Sequence, residues 1–144
     1  ALQKSIYDLY LKNTDHINNW DLVDSSAEHI VGAYLFEKSR KPLYTLAKSR
    51  SLWERRISIM ATFHFIRRND FDDTLRLSDL LLHDKEDLIH KAVGWMLREI
   101  GNRDQSVAEE FLQARYARMP RTMLRYAIEK YSDGRRRQYL NGEI

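Results

Sequence analysis

Residues that make tight turns are too scarce in this chain to build a sheet protein. Five glycines and two prolines serve 144 residues, whereas strands joined by short hairpins use both at most reversals. Apolar residues instead recur every three or four positions, the period of one helix face. Ile6, Leu9 and Tyr10 predict a first short helix, interrupted at Asn13 to Asp15. A second is predicted over residues 20–36, with Val23, Ala27, Ile30, Val31 and Tyr34 on one side. Pro42 predicts the opening of a third, through Leu43, Leu46 and Ala47. Ser51 with Glu54 matches a capping box ahead of a helix over 55–68 that buries Ile57, Met60, Ala61 and His64. Further helices are predicted over 70–82, from Asp84 or Glu86 to about Gly101, over 105–118 and over 120–131. Residues 133–140 read as a frayed terminal turn. The expected fold is all-α.

Short and long helices alternate, which suggests internal repetition. The segment that begins at Arg55 aligns with the one at His90, 35 residues on, each placing a basic pair ahead of an apolar helix. Asp24 aligns with Arg56 at an offset of 32 residues and also matches apolar positions. Periods of this size belong to helical hairpins stacked into an α-solenoid. The helix starts near residues 20, 55, 90 and 120 are then expected on one surface.

Several chemistries are excluded. The chain has no cysteine, hence no disulfide framework, Cys-ligated zinc or thiol nucleophile. No apolar run approaches the roughly 20 residues that cross a bilayer, so no membrane partner is expected and a cytoplasmic chain is the default. There is no His-Glu-x-x-His, no Gly-rich phosphate cradle and no Gly-x-Ser-x-Gly elbow. His83 and His90 flank Asp84 and Asp87, but solvated side chains explain them better than a metal site, and no metal is expected. Asp72 and Asp73 open a helix, where they complement its dipole.

The net charge of +3 conceals an asymmetry. Residues 115–144 carry a balance of +5, and the rest of the chain −2. Arg121 and Arg125 stand one helical turn apart behind Pro120, placed either to grip phosphates or to form a solvated helix face.

Trp20 and Asp24, four residues apart, project from one helix face. One reading packs Trp20 into the core and leaves Asp24 near the surface. The other makes them an aromatic-walled anionic site for a developing positive charge, with a cation–π contribution of about 0.5–2 kcal/mol from the indole.

The strings INNWDLVDSSAEHIVGAYL, LWERRISIMATFHFIRR, LLLHDKEDLIHKAVGWMLREIGNRD and MPRTMLRYAIEKY resemble, in order, the AlkD-like DNA alkylation repair proteins. The most specific parts are Trp-x-x-x-Asp and Gly-Trp-x-Leu-Arg-Glu, and the resemblance runs from about Ser5 to Leu140. It implies a single HEAT-like repeat domain over 1–144 that lacks N-terminal repeats of the full family domain. The implied activity is a monofunctional DNA glycosylase that releases cationic alkylpurines such as 3-methyladenine and 7-methylguanine from duplex DNA without flipping the base. Matched residue by residue, the family's catalytic carboxylate falls on Asp24, its groove tryptophans on Trp20 and Trp95, and its groove arginine on Arg56, which would hold a phosphate. Arg55, Lys91, Arg121 and Arg125 are then expected to bind DNA. Trp53 is left to packing. The hydrolysis needs no cofactor, and a nucleoid-associated place follows if the source is bacterial.

The alternative is a non-enzymatic HEAT-like module that binds damaged or branched DNA or a protein partner. The discriminating observation is whether Trp20, Asp24, Arg56 and Trp95 converge on one accessible surface.

Overall fold

The computed structural model describes residues 1–144 and contains no strand. Its helices are α1 (Leu2–Lys12), α2 (Trp20–Ala27), α3 (Ala33–Leu35), α4 (Lys41–Ala47), α5 (Leu52–Ala61), α6 (Phe63–Ile66), α7 (Asp72–Leu81), α8 (Asp87–Arg103), α9 (Gln105–Gln113), α10 (Arg121–Ala127) and α11 (Asp133–Leu140). The fold is an all-α solenoid of stacked helical pairs. In one layer α2 packs on α5, α5 on α8 and α8 on α10. On the other side α4 covers α5, while α7 and α9 cover α8. One continuous core runs through both layers, from Tyr7 to Tyr139. No helix is long and apolar enough to cross a membrane.

Local chemistry sets the helix starts. Asn19 accepts from the Leu22 amide at 2.9 Å to open α2, and Ser51, Asp104 and Ser132 do the same for α5, α9 and α11. Each such cap contributes about 1 kcal/mol. The predicted capping box at Ser51 forms only its first half. The Glu54 carboxylate turns away to accept from Ser49 and from Thr14 Oγ1, the latter at 2.6 Å. The second half gives way to a tertiary contact with the 3-10 turn Thr14–His16, which occupies the predicted interruption.

Between α2 and α3 lies a π-helical turn, Glu28–Gly32. Its cause is in the sequence. Val23, Ala27, Val31 and Leu35 are all buried and lie four residues apart. Over three such steps a regular helix of 3.6 residues per turn would rotate them by roughly 120° off the core. A wider turn returns the stripe to one side. Gly32 ends that turn against α5, where an added Cβ would lie 2.2 Å from the Ala61 carbonyl oxygen.

Three other expectations shift. The helix over 55–68 breaks at Thr62, whose hydroxyl donates to the Ile59 carbonyl at 2.6 Å. Residues 105–118 divide into α9 and a 3-10 turn at Tyr116–Arg118. Residues 133–140 form a true helix anchored by Tyr139, 1% exposed. The Tyr139 hydroxyl and Arg135 Nε both donate to Glu109 Oε1, each at 2.7 Å.

Arginine–carboxylate pairs clasp each unit to the next. Arg67 meets Glu28, Arg40 meets Asp73, Arg115 meets Asp79 and Arg98 meets Glu129. Asp73 is buried and also accepts from Tyr44 at 2.6 Å. Burial and that hydrogen bond push the Tyr44 phenol up to about 12. Asp73 is therefore structural, as its place in the sequence suggests.

Candidate active site

The layer α2, α5, α8, α10 brings together the N-terminal part of α2, the middle of α5, the first half of α8 and the last turn of α10, while the start of α10 near Pro120 does not join them. Trp20 and Asp24 come from α2, Arg56 from α5, Leu88, Lys91 and Trp95 from α8 and Tyr126 from α10, around a cleft of about 360 Å³. Trp20 stands in the first turn behind the Asn19 cap and is 52% exposed. It is not a core residue.

Asp24 is the opposite of a solvated surface acid. Its side chain is only 14% exposed, and both oxygens are occupied. Arg56 Nε donates to Oδ1 and Nη2 to Oδ2, each at 2.9 Å. This is the side-on fork geometry in which a guanidinium and a carboxylate form two parallel bonds. Arg56 Nη1 donates to the Leu88 carbonyl. The guanidinium, buried at 5% exposure, is thus committed to α2 and α8 instead of lying open to a phosphate. It fixes where the carboxylate points.

Trp95 is half-buried. Its ring meets Phe63 edge-on at 6.0 Å and 75°, and its indole N–H donates to Glu99 at 3.2 Å. Gly94 beside it explains how α8 and α10 approach so closely. A Cβ there would sit 2.5 Å from Tyr126 Cβ and 2.6 Å from the Met123 carbonyl oxygen. Lys91 pairs with Asp87 one helical turn earlier at 3.2 Å and remains partly exposed at the cleft.

The remaining expected residues do not join this cleft. Arg55 is tied to Asp84 at 2.7 Å and to the carbonyls of Ser49 and Arg50, each at 3.0 Å. Arg121 donates to the Leu140 carbonyl at 2.7 Å, and Arg125 lines a separate hollow between α10 and α11. Trp53 packs against the core.

Two cleft residues, Leu88 and Tyr126, escape the sequence reading. For Tyr126 a signal existed. The 35-residue offset that aligns Arg56 with Lys91 carries Lys91 onto Tyr126, so Asp24, Arg56, Lys91 and Tyr126 occupy one position of successive repeats. Chemically, the cleft holds an oriented, Arg56-paired carboxylate together with two indoles and a phenol, with a cation at its edge. That arrangement suits a ligand that is positive at one atom and anionic nearby.

The sequence model of the DNA alkylation repair enzyme family matches residues 1–131. No curated protein matches the chain.

Proposed function

Because the chain belongs to the DNA alkylation repair enzyme family, we propose that it is a monofunctional DNA glycosylase that hydrolyses the N-glycosidic bond of cationic alkylpurines in duplex DNA. Alkylation at N3 or N7 already places positive charge on the purine, so the base departs without a strong general acid. The C1′–N bond breaks with its electron pair passing to the purine, and positive charge builds on the deoxyribose. Asp24 stabilises that charge, and the faces of Trp20 and Trp95 contact the sugar. Water adds at C1′ and gives up its proton to the solvent, leaving an abasic site and a neutral methylpurine. Arg56 holds Asp24 in place, and Lys91 meets a flanking phosphate. A cytoplasmic or nucleoid location follows from such a substrate.

One observation carries this reading: Trp20, Asp24 and Trp95 share one open cleft, with the carboxylate held by two parallel hydrogen bonds. The test is release of 3-methyladenine and 7-methylguanine from alkylated duplex DNA. Asp24→Asn is expected to slow release by about 100-fold or more. Equal release from parent and variant removes Asp24 from the chemistry. No release from either, with damaged duplex still bound, favours a binding module.

A further inference from the structure

α10 presents Tyr126 to the cleft and its neighbours Arg125, Ile128 and Glu129 to a second hollow of about 460 Å³, closed on its far side by α11. Both acids there are already balanced. Glu129 is paired with Arg98, and Asp133 with Arg136. Arg125 and Arg137 have no acidic partner. Arg121, whose Nη2 bonds only the carbonyl of Leu140 at the hollow's rim, adds a third unbalanced guanidinium. We infer that this hollow is a phosphate-binding site that grips the sugar-phosphate backbone of duplex DNA beside the cleft. The inference rests on the DNA reading above.

Unbalanced guanidiniums gathered at one concavity repel one another until an anion joins them, and their planar forks match the oxygens of a phosphodiester. The hollow is held in shape without a ligand. Tyr139 is buried beneath α11, Arg135 ties that helix to Glu109 at 2.7 Å, and Arg136 reaches the Glu129 carbonyl at 3.3 Å. Only the width of α10, about 10 Å with its side chains, separates hollow from cleft. One DNA strand spans that distance within a few nucleotides. α11, which carries Arg137, lies beyond the residues that the family model matches, while Arg121 and Arg125 on α10 lie within them. An anionic membrane is the poorer partner. Surface helices that bind lipid carry an exposed apolar face, whereas α11 offers only Tyr139, which is buried, and Leu140.

The test uses unmodified duplex DNA, with binding followed by fluorescence anisotropy across a salt titration. Arg125→Gln/Arg137→Gln is expected to weaken binding to every sequence alike and to flatten the slope of log K against log salt by about 2. Arg125→Lys/Arg137→Lys should keep most of the slope. Lys38→Gln/Lys41→Gln, which removes one charge from the α3–α4 connection and one from the first residue of α4, should leave it unchanged. Equal slopes for the parent and the hollow variant overturn the inference, as does an equal loss in the α3–α4 variant. Binding of inorganic phosphate with no effect on duplex binding also overturns it. No base is released in this assay, so failure of the glycosylase reading leaves its outcome intact, and the reverse holds too.

Discussion

Arg56 is the residue whose position most changes the meaning of its neighbours. A guanidinium keeps its charge under all ordinary conditions, so at 5% exposure it depends on Asp24 and the Leu88 carbonyl for compensation. Arg56→Ala is expected to cost about 3 kcal/mol, read from denaturant midpoints. Asp24→Ala/Arg56→Ala together should cost clearly less than the sum of the single changes, since the double variant strands no charge. Simple additivity would show that the pair is not coupled. His64 supplies a pH effect. Burial, then Arg68, lowers its pKa below the ordinary 6.5. The folded state therefore binds fewer protons than the unfolded one. His64 supports stability above pH 6.5 and loses that support as the pH falls toward its folded value. Melting temperatures of His64→Gln should change less between pH 7 and 5 than those of the parent. At this scale the sequence was legible where chemistry is local. Trp20 and Asp24 share a face by spacing alone. The partner of Asp24, 32 residues away, was marked by the repeat offset, but its hydrogen bonds could not be read. Nor could a count of basic residues reveal that Arg55, Arg115 and Arg135 are spent on Asp84, Asp79 and Glu109.

Among the elements, α8 and α10 define how tightly the cleft closes. Gly94→Ala must move both Tyr126 and the Met123 carbonyl, because both lie under 3 Å from the new Cβ. The expected loss is about 1–3 kcal/mol in thermal unfolding, and under the proposed function weaker alkylpurine release as Tyr126 shifts. A variant as stable and active as the parent would mean that the helices part freely. Helix existence was written in the apolar periods, and their ends were not. α11 carries almost no apolar stripe, and what holds it is Glu109 on α9. The π turn left a faint mark, the unbroken four-residue spacing from Val23 to Leu35. Glu54 misled in the other direction, since a local capping pattern lost its side chain to Thr14.

For the whole molecule, each helical pair touches only its neighbours, so stability is a chain of local interfaces. α5 and α8 have packed helices on both sides. α1 buries only Tyr7 and leaves Leu2, Ile6 and Leu9 exposed. Hydrogen exchange should release α1 amides roughly tenfold or more faster than those of α5 and α8. Uniform protection would contradict a nearest-neighbour solenoid. The clasp at the cleft reaches across three of these pairs at once, from Asp24 on α2 through Arg56 on α5 to Leu88 on α8. The Arg56 guanidinium is therefore strung like a bowstring between repeats, and the orientation of Asp24 is tied to how they stack. If Asp24 acts as proposed, a duplex that flexes the solenoid would retune its chemistry from a distance.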